Sequence, residues 1–321
     1  MTQKVLITGM AGFIGFHTAI KLKSLGYEVC GLDNYNDYYE VELKEARTKE
    51  LAKINIDVKR CDLRDAKMTY DFIEEQKPDL IIHLAAYAGV RHSFNNPMEY
   101  IENNILGTQN LIIACEKNKI DNVIYASTSC VMAGNEMPWK EDEPTLHQLN
   151  PYGYTKRTNE CQFKTSKVYR NIGLRFFTVY GPWGRPDMAL FTFSRAILKD
   201  EEIGLFNYGD MKRDFTYIDD IVQGISIVAN KILSIDIPLS EIYNIGYGQQ
   251  VELLDFVKEI EHNFGKKAIV EYLPKHPADS QETWSDTTKL QALGYKPTTS
   301  IKDGVKKFAD WYKEFYGVNV K

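Results

Sequence analysis

A chain of 321 residues has room for one large domain or two of ordinary size, and 44% hydrophobic with 26% charged residues is the make-up of a folded protein, which excludes extended disorder. Its 39 basic and 44 acidic side chains leave a net charge of −5, a poor match to a nucleic-acid backbone. No apolar run approaches the roughly 18 residues that a membrane span needs.

The chain runs from Met1 straight into KVLIT without a signal segment, so a cytoplasmic protein is expected. Five cysteines (Cys30, Cys61, Cys115, Cys130 and Cys161) form no CxxC pair, and six histidines show no ligand spacing. Neither a disulfide framework nor a metal site is expected, and His83 within LIIHLAA reads as a packed strand residue.

In chain order, short β-branched runs alternate with amphipathic stretches. Strands are predicted at 4–8, 27–33, 56–61, 79–86, 122–128 and 172–179. Helices are predicted between them at 13–25, 38–53, 65–77, 97–118 and 151–169, with Pro78 stopping the third. Such an alternation is an α/β pattern and predicts a doubly wound parallel sheet of the Rossmann kind. After about residue 180 the texture changes to a Pro/Gly-rich loop, GPWGRPDM, then shorter elements and a helix near 300–316. The expected division is a nucleotide-binding domain over 1–175, with a return segment near 215–245, and a smaller substrate domain over 176–321.

The segment VLITGMAGFIG sets Gly9, Gly12 and Gly15 between the first strand and helix. Gly9 suits the tight turn, Gly12 lets backbone approach a pyrophosphate, and Gly15 lets the helix pack closely. Asp33 ends the next strand 18 positions beyond Gly15. A carboxylate there binds a ribose 2′-hydroxyl and repels a 2′-phosphate, and no arginine is adjacent, so NAD is favoured over NADP. Asp62, directly after the third strand, is placed to reach the adenine edge and to cap the helix in DLRD, and both can hold at once.

Tyr152 and Lys156 in YGYTK share one helix face at i,i+4 spacing. A phenol titrates near ~10, and a neighbouring ammonium and a nicotinamide cation would both lower it enough for base chemistry. Tyr154 has no lysine four residues on. The fifth strand ends in Ser127-Thr128-Ser129, and strand ends of this kind face the ligand in open parallel sheets.

These motifs, with HLAA (83–86) and Asn104 in NNILGT, resemble the extended short-chain dehydrogenase/reductase superfamily in its nucleotide-sugar epimerase/dehydratase branch. Narrower stretches are similar to the UDP-glucuronate 4-epimerases: DNYNDYYEVELKEAR (33–47), AGVRHS (88–93), LRFFTVYGPWGRPDMALF (174–191), RDFTYIDDI (213–221) and DTTKLQALGYKP (286–297).

The resemblance implies an NAD site made by Gly9, Gly12, Phe13, Ile14 and Gly15 of the glycine turn, with Asp33, Asn34, Asp62 and Leu63 beside the adenosine. Leu84, Ala85, Ala86, Asn104, Ser127, Tyr152, Lys156 and Phe176 complete it. It also implies a UDP-sugar substrate, Thr128 as a substrate-contacting hydroxyl, and a homodimer paired through 97–118 and 151–169. Arg91, Arg185 and Arg213 are expected at the diphosphate, Asp279 among the substrate contacts, and Met188, Phe191 and Phe206 around uridine. The implied reaction is inversion at C4 of a UDP-hexuronate through a 4-keto sugar.

Dehydratases of this branch carry an Asp-Glu pair where Ser129 and Cys130 stand, and decarboxylases a Glu, so neither reaction has its acid or base here. Ser129, Thr178 and Arg185 are expected to hold the uronate carboxylate away from the alignment that loses CO2. Cys130, Met132, Ala133 and HPADSQET (276–283) depart from the uronate-epimerase pattern. A 4-epimerase of a neutral or N-acetylated UDP-sugar, a related decarboxylase or reductase, and a non-catalytic NAD-bound protein therefore remain open.

Overall fold

The computed structural model describes residues 2–318. β1 (Lys4–Thr8) is followed by α1 (Phe13–Ser24), β2 (Glu28–Asp33), α2 (Val41–Ala52), β3 (Val58–Arg60), α3 (Ala66–Gln76) and β4 (Leu80–His83). Two single turns, α4 (His92–Asn95) and α5 (Pro97–Tyr100), lead through a π-helical turn at Ile101–Leu106 into α6 (Gly107–Asn118), β5 (Asn122–Thr128), α7 (Pro151–Thr165) and β6 (Arg170–Phe176). The remainder comprises β7 (Thr178–Tyr180), α8 (Ala189–Lys199), β8 (Glu202–Leu205), β9 (Lys212–Arg213), β10 (Phe215–Tyr217), α9 (Ile218–Leu233), β11 (Leu239–Ile245), β12 (Val251–Glu252), α10 (Leu253–Phe264), β13 (Ile269–Tyr272), α11 (Thr288–Gln291) and α12 (Ile301–Tyr316).

Period-two alternation builds the sheet. Val5, Ile7, Leu80, Ile82 and Ile124 point into one core, while Leu6, Ile81, Val123 and Tyr125 point into the other. Both faces are buried, as a parallel sheet requires. α1 packs on α9 over the first face, and α3 on α6 over the second. The strands lie in the order β3-β2-β1-β4-β5-β6-β11, all parallel. The order reverses between β1 and β4, and the crevice at that switch point is where this architecture binds ligands.

β11 comes from the second half of the chain yet pairs with the whole of β6, Leu239 opposite Arg170 through Ile245 opposite Phe176. The second half of the chain adds three two-stranded pairings, β7 with β10, β8 with β13 and β9 with β12.

Two sequence expectations are altered. The helix expected over 97–118 is broken by the π turn, whose extra residue turns Asn104 inward. The strand expected over 172–179 is cut after Phe177: its N–H still bonds the Ile245 carbonyl of β11, but the Thr178 N–H turns to the Asp214 carbonyl, so that Thr178–Tyr180 joins β10 instead. No helix among the described residues is long and apolar enough to cross a membrane.

Candidate active site

The glycine turn is built by contacts that exclude side chains. Gly9 adopts φ +71°, and a Cβ there would lie 2.7 Å from the Ala85 nitrogen. A Cβ on Gly15 would come within 2.2 Å of the Gly9 carbonyl oxygen, so what Gly15 permits is the approach of helix to turn rather than helix to sheet. Gly12 caps α1 with no side-chain hydrogen bond, leaving the first-turn N–H groups to a ligand. These features fit a pyrophosphate.

Asp33 is buried at the end of β2 and accepts from the Ala11 N–H (3.1 Å) and the Tyr35 N–H (2.8 Å). Burial raises its pKa, against which the Lys44 and Arg47 charges and the two N–H groups act. Sequence reasoning found no arginine adjacent to Asp33, but α2 brings two buried cations close by. Lys44 is held by the Asn36 carbonyl (2.6 Å) and side chain (2.9 Å), and burial lowers its pKa to about 8.

Arg47 is consumed structurally, donating to the carbonyls of Ala11 (2.9 Å), Trp183 (2.7 Å) and Gly184 (3.2 Å). It ties the glycine turn to the GPWG loop and has no face free for a 2′-phosphate. Their i,i+3 spacing in LKEAR was the available signal. Asp62 is not the helix cap. Asp65 is, accepting the Met68 N–H at 2.9 Å, while Asp62 binds Arg64 and Asn34.

Asn150 caps α7, accepting the Gly153 N–H at 2.7 Å with Pro151 at the first helical position, and so places Tyr152 and Lys156 below the tip of β5. Lys156 is buried and Tyr152 half-buried, and both line the same cavity as Thr128. Burial raises the Tyr152 phenol above its usual range; Thr128 through a hydrogen bond and Arg185 through its charge pull it back. Burial drops Lys156 itself to about 7, opposed by the charge of Glu160.

Ser127 lines the cavity, but its hydroxyl donates to Glu160 (2.7 Å), which is locked to Arg175 at 2.9 Å. His83 is buried with Thr8 (2.8 Å) and Thr108 (2.9 Å) on its two ring nitrogens.

A buried lysine with a lowered pKa has a stability consequence. Between the folded value near 7 and the ordinary ~10.4 the unfolded chain binds the extra proton, so stability rises with pH through that window. The urea midpoint of nucleotide-free protein should therefore climb from pH 7 to pH 9.5, and Lys156→Met should flatten the rise. An equally steep rise in the variant would refute this source.

One cavity of about 590 Å³ joins the glycine turn, Asp33, Asn34, Asp62, Leu63, Leu84, Ala85, Ala86 and Phe176 to the second lobe. Its far wall carries Ser129, Thr178, Met188, Phe206, Arg91, Arg185, Arg213 and Asp279. Each arginine already has partners: Arg91 pairs with Asp279 (2.6 Å) and lies over the Phe206 ring (3.7 Å), Arg185 forks onto Asp187, and Arg213 donates to the Ser280 and Gln281 carbonyls.

Two expected contacts fall outside the cavity. Asn104 sits behind the wall, its amide accepting the Tyr87 N–H (2.9 Å) and donating to the Tyr87 carbonyl (3.0 Å). Phe191 is packed in the core against the aromatic face of α12.

The parallel sheet with its switch point at a glycine turn that carries no side-chain cap is the architecture of a dinucleotide-binding fold. The model of the NAD dependent epimerase/dehydratase family matches residues 5–246, and the chain belongs to that family. Protein CapI of Staphylococcus aureus is 43% identical, the match covering 98% of this chain and 99% of that one. A probable UDP-glucuronate 4-epimerase of Rhizobium meliloti is 38% identical, covering 98% of each. The crystal structure of UDP-glucuronic acid 4-epimerase from Bacillus cereus in complex with UDP-glucuronic acid and NAD has a TM-score of 0.90 and 34% identity, covering 98% of this chain and 100% of that one.

Proposed function

We propose that the protein is an NAD-dependent 4-epimerase interconverting UDP-glucuronate and UDP-galacturonate. The observation that carries this reading is the strand tip. Ser129 and Cys130, neither of them a carboxylate, stand there beside a half-buried Tyr152 and a buried Thr128, so the site can move the C4 hydroxyl proton while the tip positions themselves supply no acid or base for dehydration. Likeness over the full chain to a structure holding UDP-glucuronic acid and NAD supports the same substrate.

In this mechanism the glycine turn, Asp33 and Asp62 would hold the dinucleotide, and Lys156 would bind its nicotinamide ribose. When bound, NAD supplies the hydride acceptor and, on return, the donor. Tyr152 Oη takes the C4 hydroxyl proton, with the Thr128 hydroxyl beside it, and gives it back after the 4-keto sugar has turned over in the cavity. Ser129, Thr178 and Arg185 keep the carboxylate out of line with the ketone. Otherwise the C5–C6 electron pair flows toward the ketone as CO2 leaves, and a pentose results.

Incubation of NAD-loaded protein with UDP-glucuronate should convert the anomeric proton signal to that of the galacturonate. No conversion, with UDP-galactose epimerised instead, would overturn the substrate assignment.

The protein is further read as a cytoplasmic homodimer paired through α6 and α7 and the turns before them, with Met98, Leu106 and Ile113 left exposed on that face. Light scattering on the purified protein should give twice the chain mass, and a monomer would count against it.

A further inference from the structure

We propose that Tyr38 and Asp187 are positioning residues that aim Arg185 into the sugar half of the cavity, so that the loop following Asp33 shapes the uronate pocket. The proposal rests on the uronate reading above.

Tyr38 belongs to the segment between β2 and α2, which begins at Asp33 and Asn34 on the nucleotide side. Its hydroxyl crosses to the second lobe and donates to Asp187 Oδ2 at 2.9 Å. Asp187 in turn grips one edge of Arg185, Oδ1 on Nε at 3.0 Å and Oδ2 on Nη2 at 2.5 Å. This bidentate fork fixes the plane of the guanidinium, and the Tyr38 ring lies 5.8 Å from its central carbon. Among the described residues Nη1 has no hydrogen-bond partner, and Arg185 lines the cavity, so its unused edge is what a sugar carboxylate meets.

Electrostatics agrees with this geometry. Burial raises Asp187, but the charge and hydrogen bonds of Arg185 and the Tyr38 hydroxyl hold it below the usual carboxylate range. Asp187 is thus an anion in the fork. Arg185 is also the cation whose charge reaches Tyr152, so its placement bears on the reacting phenol as well as on the substrate.

Tyr38 is itself held by packing. Its ring meets His92 edge-on at 4.9 Å and Tyr87 at 5.7 Å. Its hydroxyl fills the space in front of Gly89, where an added Cβ would lie 1.9 Å from Tyr38 Oη. Gly89 cannot easily retreat, because the Tyr100 hydroxyl accepts its N–H at 3.1 Å and donates to its carbonyl at 2.7 Å. The glycine of AGVRHS is therefore explained by the tyrosine of DNYNDYY.

The test compares Tyr38→Phe, Gly89→Ala and Asp187→Asn with the parent, each NAD-loaded, on UDP-glucuronate. Tyr38→Phe removes one hydroxyl, and Gly89→Ala pushes that hydroxyl aside without touching a charge. Both should raise KM about 5–10-fold with a smaller change in kcat, and raise the UDP-pentose fraction of product several-fold, with NAD content unchanged. Asp187→Asn should give the largest pentose fraction. A purely structural role would lower the melting temperature and leave KM and the product ratio alone. Parental KM and pentose fraction in both Tyr38→Phe and Gly89→Ala would overturn the proposal while the epimerase reading stands. A parent that leaves UDP-glucuronate unconverted would overturn that reading, and this proposal with it.

Discussion

Tyr152→Phe should yield a folded protein that still carries NAD and turns over UDP-glucuronate about 10³-fold more slowly. The substitution deletes one oxygen. It leaves the ring packed edge-on against Tyr100, centroids 6.3 Å apart, so the helix and its cap stay in place. What is lost is the hydroxyl proposed to take the C4 proton, and positioned acid–base groups contribute about 10²–10⁴ in rate.

Burial holds the ligand-free phenol above its usual range, and bound NAD would add its charge to that of Arg185, so the NAD-loaded parent should show an acidic limb in kcat well below ~10. Turnover in Tyr152→Phe within a factor of two of the parent would remove Tyr152 from the chemistry.

Gly15→Ala is the second large effect, and it runs against ordinary propensity. Inside a helix, alanine is normally favoured over glycine by roughly 0.5–1 kcal/mol. Here the new methyl would sit 2.2 Å from the Gly9 carbonyl oxygen and 2.9 Å from Met10 Cα, all backbone, with no flexible side chain to yield.

Overpacking of this kind costs about 1–3 kcal/mol or more, because α1 or the turn must move. The turn is also where the pyrophosphate would sit. The expected outcome is a melting point lower by several degrees and protein isolated with little NAD, read from absorbance after denaturation. Full NAD content with parental stability would show that helix and turn do not meet as closely as described.

Local chemistry explains why much of this was legible. Alternating apolar residues specify buried strands through a two-residue period. A glycine triplet between strand and helix has few other uses, and Tyr152 with Lys156 is a spacing on one helix. None of these depends on where remote segments end up.

Other features did depend on it. The spacing of Tyr152 and Lys156 puts them on one helix face, but a shared face does not fix how far an ammonium lies from a phenol, or how much each loses on burial. Asn104 carried a motif's signature yet serves the loop at Tyr87, because a π turn rotates it behind the cavity wall.

What the chain determined by itself is the first six strands, the glycine turn and the tyrosine helix, each encoded in a short run of consecutive residues. Tertiary structure alone decided that Arg47 staples Ala11 to Trp183, that Glu160 claims the Ser127 hydroxyl, and that Tyr38 reaches Asp187 across 149 positions. The reason is physical. Periodicity and turn chemistry act over a few bonds, whereas the partner of a buried polar group is whichever complementary atom the packed fold delivers, since leaving it unpaired costs more than almost any local preference.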